Sequence, residues 1–150
     1  MKEIATSISK AFVLTIDYGY SSGELYSQNR RNGTLVCYNK HTVNDIPYYN
    51  IGKQDITSHV NFSAIYHWGM KYGLDYCGFT NQVHFLLSLG LNEYLRNMEE
   101  STPGKLSKHE KVFFMNTFMR DMGNKLKVLI QQKGVGAQKL SGMKLSLNNL

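Results

Sequence analysis

Residues Val13–Glu24 read VLTIDYGYSSGE. An apolar run stops at Asp17, and two tyrosines, two glycines and a second carboxylate come after it. The run Ala11–Ile16 is short, rich in aliphatic residues and free of polar alternation. That pattern predicts a strand buried on both faces, as in a parallel sheet. The segment beyond the run has two readings. Asp17 caps a turn for which Gly19 and Gly23 supply the freedom, or Asp17 and Tyr18 meet a ligand at the end of a sheet. The residues alone leave both open.

Outward from this strand the chain alternates in type. Lys2–Lys10 places Ile4 and Ile8 four apart, as in the last turns of a helix. Residues 20–34, rich in Ser, Gly, Asn, Gln and Arg, read as a long loop, and Gly33–Tyr38 as a short strand. Residues 39–60, broken by Pro47 and Gly52, read as irregular. Asn61 has the chemistry of an N-cap for a helix over Phe62–Tyr72, with Phe62, Ile65, Tyr66 and Tyr72 on one face and Gly73 after the last turn. Leu74–Thr80 reads as a strand and Gln82–Met98 as a helix that Gly90 interrupts. Glu99–Lys105 reads as a surface loop. Ser107 and Glu110 have capping-box spacing before a helix carrying Val112, Phe113, Phe118 and Met119, which stops at Gly123. Lys125–Gln132 reads as a last strand and residues 133–150 as a polar tail. Strands separated by helices predict an α/β layered sheet, in which ligands collect beyond the carboxyl ends of the strands.

The totals bound the function classes. A chain of 150 residues, 42% hydrophobic and 19% charged, suits one globular domain. No run approaches the ~20 apolar residues of a membrane span, and Glu3 with the polar TSISK segment argues against a secretory signal. Cys37 and Cys77 read as free thiols in a reducing compartment, the cytoplasm by default. The net charge of +6 divides unevenly: residues 1–100 carry −1 and residues 101–150 carry +7. Without interleaved aromatics and arginines, that excess reads as a solvated face and tail rather than a nucleic-acid site.

Few stretches could carry chemistry. In Gln54–Phe62, QDITSHVNF, polar groups converge just before a helix N-terminus, where backbone N–H groups favour an anion or polar ligand. His59 could move a proton near neutral pH there, while Asp55 and Asn61 equally suit turn and cap roles. Gln82 opens a helix at the end of a strand, where its amide could reach a ligand or simply face solvent. No CxxC or HExxH spacing exists for a metal. The GxG of Lys133–Gln138 lacks the third glycine of a dinucleotide loop, and neither cysteine has a catalytic signature. The stripe Phe113, Met115, Phe118, Met119 reads as core or interface.

Five blocks in order, VLTIDYGY, GTLVCYNKHTV, NIGKQDITSHVNFSAI, GFTNQVHFLLSLGL and MGNKLKVLIQQKGV, resemble the C-terminal half of the MidA-like (DUF185) family of class I S-adenosylmethionine-dependent methyltransferases. The resemblance runs from about residue 4 to about residue 145, and QDITSHVNFSA is its most specific part. It implies a Rossmann-like sheet, mostly parallel with an antiparallel terminal strand, in which Val13–Ile16 is the fifth strand and Leu74–Thr80 and Lys125–Gln132 the terminal pair. The family's glycine-rich turn, the acidic residue ending its second strand and its Asn-Glu-Phe-type motif do not occur here. The resemblance therefore implies a substrate-side part of an enzyme. The intact protein would pass a methyl group from S-adenosylmethionine to a protein nitrogen, arginine by analogy with a mitochondrial relative that assists assembly of respiratory complex I. Asp17, Tyr18, Gly19, His59, Asn61 and Gln82 become substrate-side candidates, and the chain alone is expected to bind no S-adenosylmethionine. A eukaryotic member would be mitochondrial, with a complex I subunit as its protein partner. A non-enzymatic alternative is an interaction protein that pairs through an open sheet edge with a separate N-terminal half or with itself.

Overall fold

A computed structural model describes residues 1–101, 123–147 and 150. Helix α1, Lys2–Ser7, leads into β1, Ala11–Tyr20, and then into the one-turn helix α2, Ser22–Leu25. Strands β2 (Val36–Asn39), β3 (Thr42–Asn44) and β4 (Asp55–Thr57) form a small antiparallel sheet in the order β3-β2-β4. The short β5, Val60–Asn61, runs directly into α3, Phe62–Lys71. Then come β6 (Asp75–Asn81), α4 (Gln82–Ser88) and α5 (Leu91–Ser101), with Gly90 at φ +94 separating the two helices. A helical turn at Gly123–Lys125 precedes β7, Leu126–Lys133, and a 3-10 turn lies beyond it at Ser141–Met143.

The main sheet has the order β5-β1-β7-β6. β1 and β5 pair in parallel, and β7 lies antiparallel to both β1 and β6. The expected mixed α/β sheet with one reversed strand is present in that form. The reversed strand is last in the chain but interior to the sheet, so its two long ladders are antiparallel. On the α3 side, Phe79 and Leu129 pack with Phe62, joined by Val60, Ile65 and Tyr66. On the other side, Val128 and Ile130 pack with Met143, joined by Cys77, Phe85 and Leu140.

The first strand differs from its reading in two ways. It runs to Tyr20 rather than stopping at Ile16, so Asp17, Tyr18 and Gly19 lie inside it. Nor is it buried on both faces. Register places Leu14 opposite Ile130 and Ile16 opposite Val128, so these residues share the Met143 side of the sheet. Met143 and α4 cover that side over β6 and β7, whereas Phe12, Leu14, Ile16 and Tyr18 remain 44%, 51%, 42% and 38% exposed. An apolar run without alternation thus gives a half-covered strand, because nothing among the described residues closes the face over β1.

Three further readings change. Residues 39–60 contain β3 and β4. The β2–β3 hairpin turns through Lys40 and His41, both at positive φ, between the paired Asn39 and Thr42. That two-residue turn normally announces itself with Asn-Gly or Asp-Gly. The 20–34 loop holds α2, whose Ser21 and Glu24 form a complete capping box. The polar tail is packed: Met143 is buried, Leu147 N–H donates to the Phe79 carbonyl at 2.7 Å, and Thr80 Oγ1 donates to the Leu145 carbonyl at 2.6 Å. The Ser107–Glu110 capping box and the Phe113–Met119 stripe lie outside the described residues.

Candidate functional site

β1 and β6 run the same way on either side of β7, so their carboxyl ends lie at one end of the sheet. Asp17 and Asn81 both pair with Lys127. Gln82, the residue after Asn81, therefore starts α4 two strands across from Asp17 and Tyr18. α4 is capped by Asn81, whose Oδ1 accepts from His84 N–H at 2.7 Å.

The same end carries the junction of β5 with α3. Asn61 Oδ1 accepts from Ala64 N–H at 3.0 Å, as an N-cap does, and from Ser22 Oγ at 3.0 Å. Ser63 Oγ accepts from Ser22 N–H at 2.8 Å. These bonds tie α2 to the start of α3. Asn61 is thus committed to holding the fold together, a role worth about 1 kcal/mol for the cap alone.

His59 is placed differently. Its ring centroid lies 5.1 Å from that of Tyr20 and 6.3 Å, edge to face, from that of Tyr18. Its backbone N–H donates to Thr34 Oγ1 at 3.0 Å. Its Nδ1 is buried and has no hydrogen-bond partner among the described residues. Arg30 covers the Tyr20 ring with its guanidinium carbon 3.8 Å from the centroid, and Nη1 donates to the Glu24 carbonyl at 2.9 Å. A cation over a tyrosine face contributes roughly 0.5–1 kcal/mol when exposed. Together with the carbonyl it fixes the guanidinium against the end of β1. Beside it opens a cleft of about 520 Å³, lined by Tyr26, Arg30, Arg31, Thr34, Ser58 and His59 among others.

The candidates therefore separate. Tyr18 and His59 come together, with Tyr20 and Arg30 added to them. Asp17 does not join them. It is the residue before Tyr18 in an extended strand, so its side chain leaves the opposite face of the sheet, and its Oδ1 accepts from Tyr18 N–H at 2.7 Å. Gly19 contributes space: an ideal Cβ there would collide with the Val60 carbonyl and lie 2.6 Å from the Phe62 ring. Arg30, Arg31 and Tyr26 were not legible as site residues, because they sit in a polar stretch whose composition suggests only a loop. The signal that could have found them is Ser21-Ser22-Gly23-Glu24, a capping-box spacing directly after the strand.

Other chemistry finds little support. Burial pushes the Cys77 thiol up, with Asp75 adding to the effect, which disfavours the reactive thiolate. Gly134 of the GxG adopts φ +64 and packs against the Ser9 carbonyl, which closes the space a phosphate would need. No helix among the described residues is long and apolar enough to cross a membrane.

Residues 1–80 match the protein family described as "Putative S-adenosyl-L-methionine-dependent methyltransferase". A COG1565 superfamily protein of Burkholderia thailandensis, described as uncharacterized, superposes with a TM-score of 0.86 at 29% identity, over 97% of this chain and 38% of that one. A COG1565 superfamily member from the same organism, solved bound to S-adenosyl-homocysteine, gives 0.85 at 29% identity, over 97% and 37%. The chain thus spans less than two fifths of either relative. No curated protein matches it.

Proposed function

The chain belongs to that family of S-adenosyl-L-methionine-dependent methyltransferases, and on this premise we propose that it is the acceptor-side, C-terminal part of an enzyme that methylates a protein nitrogen, arginine first. The observation that carries the reading is the cluster of Tyr18, Tyr20 and His59 at the carboxyl end of β1, where an α/β sheet presents its ligands. Within that reading a respiratory complex I subunit is the first protein acceptor to try.

The cleft does not suit the methyl donor itself. Its lining includes two arginines and no carboxylate, so the donor's carboxylate finds partners there while its sulfonium and ammonium, which leave it a net cation, meet like charge. The donor is therefore assigned to the part of the fold that the longer relatives possess beyond the matched span. What the chain's own residues supply is orientation. The stacked Tyr20–Arg30 pair and the His59 ring pack together as one wall. They position the protein segment that carries the acceptor.

The test is methyl transfer by the complete protein, read as radiolabel passing from S-adenosylmethionine into protein arginine. His59→Ala is expected to lower the rate about tenfold or more, the effect of losing ~1.4 kcal/mol of orienting contact from the ring that packs on Tyr20 and lines the cleft. Asp17→Ala asks separately whether the mid-strand carboxylate reaches the acceptor. Undiminished transfer by both variants sinks the assignment.

A second reading, a non-enzymatic pairing protein, is favoured by one specific feature. Away from β7, β1 is paired only at Gly19 and Tyr20 among the described residues, which leaves most of one backbone edge open beside the apolar stripe Phe12, Leu14, Ile16 and Tyr18. Open edge and apolar face together suit an added strand, from a separate polypeptide corresponding to the rest of the relatives or from a second copy. Leu14→Asp is expected to shift light-scattering mass toward the monomer. A wild-type chain that is monomeric at all concentrations refutes the pairing.

A further inference from the structure

We infer that the cleft between α2 and His59 is a docking site for an acidic protein segment, one that presents side-chain carboxylates beside the residue to be methylated. The inference rests on the proposal that the acceptor is a protein, and it narrows which proteins qualify.

Charge comes first. Arg30 and Arg31 line the cleft and no acidic side chain does, although residues 1–100 as a whole carry a net charge of −1. The two arginines therefore stand out from the segment that carries them, apart from the basic excess of residues 101–150. The two guanidinium groups are not equivalent. Arg30 is pinned by the Tyr20 ring and by the Glu24 carbonyl and Ser27 Oγ that accept from its Nη1. Arg31, next in sequence, is exposed at the rim. A pinned cation behind an exposed one suits two carboxylates, one held in a fixed place and one gripped by a planar fork.

Size comes second. A volume of about 520 Å³ lies within the range that takes a ligand of several side-chain-sized groups, and far exceeds what one small oxyanion fills. Neutral groups on the wall match the rest of a peptide. Ser58 can donate or accept, and Tyr26, 77% exposed, offers a flat ring at the mouth. The buried, unpartnered His59 Nδ1 adds a polar atom that the fold itself leaves unsatisfied among the described residues. The same charge disfavours an arginine acceptor within the cleft. The guanidinium to be methylated must then lie outside it, with acidic neighbours in the cleft setting its position.

The probe is a fluorescein-labelled octaglutamate peptide titrated onto the full chain at low ionic strength and read by anisotropy. Arg31→Glu is expected to weaken binding about tenfold or more. Lys139→Glu, the same change in net charge on the C-terminal segment, is expected to leave it within about twofold of wild type. Arg31→Gln, which removes one charge instead of reversing it, is expected to fall between. Equal loss from Arg31→Glu and Lys139→Glu would mean net charge alone and overturns the site, as does no binding of the peptide. Displacement by inorganic phosphate at matched ionic strength makes the cleft a phosphate site instead. Binding that depends on Arg31 in a protein that transfers no methyl group leaves the cleft assignment standing while the catalytic reading fails.

Discussion

Phe62→Ala is expected to lower the free energy of unfolding by about 3–5 kcal/mol, the range for truncating a fully buried aromatic side chain. Phe62 is 0% exposed, and its ring centroid lies 5.4 Å from that of Phe79 at a tilt of 47°. It opens α3 immediately after the Asn61 cap and fills the space under Gly19. The cavity would sit where β1, β5, β6 and α3 meet, with little freedom to collapse because Leu129 and Phe79 are themselves anchored in long ladders. Urea denaturation of the variant and of wild type measures the difference. A loss below about 1 kcal/mol would mean that this side of the sheet repacks and that α3 is not anchored as described.

Gly19→Ala is expected to cost about 3 kcal/mol, at the upper end of overpacking effects. The added methyl meets both the Phe62 ring and the Val60 carbonyl. A ring can turn. The carbonyl belongs to the partner strand at the residue paired with Gly19 itself, so relief requires β5 to move away and give up the parallel pairing. The combination with Phe62→Ala separates the two collisions. Deleting the ring removes one of them, so the double variant should be less unstable than the two single losses added together. Strict additivity would show that the backbone collision alone sets the cost. Since β5 positions His59, loss of pairing should also disturb the cleft, and Gly19→Ala should weaken octaglutamate binding even at temperatures where the protein stays folded.

The elements that were legible from the residues are those whose signals are local. Asn61 before an apolar helical face, Gly90 between two helical stretches and the β-rich run of β7 all declare themselves within a few positions, and each is found within one or two residues of its expected place. Of the small sheet, β2 was legible in the run Gly33–Tyr38, whereas β3 and β4 were not, because the hairpin places Lys40 and His41 in a conformation those side chains rarely signal. The half-exposed state of β1 was not legible either. An apolar run records what a strand is able to bury, whereas the cover over it depends on elements distant in sequence. Of the site, His59 and Tyr18 could be named from their neighbours in the chain. Arg30 and Arg31 could not, since only the return of α2 against α3 through Ser22, Ser63 and Asn61 brings their loop to the end of the sheet.

The interior position of β7 governs the order in which the chain can assemble. Ala11 pairs with Lys133 and Tyr18 with Leu126, so the long ladder of β1 joins residues more than one hundred positions apart. β6 depends on the same late strand. During synthesis β1 therefore leaves the ribosome well before its partner exists, with a stripe of Phe12, Leu14 and Ile16 and no ladder to protect it. Contacts of such long range make folding slow and extend the time for which aggregation competes. Neither β1 nor β6 can commit to the native sheet until β7 has been made, which sets the earliest point at which this sheet can form.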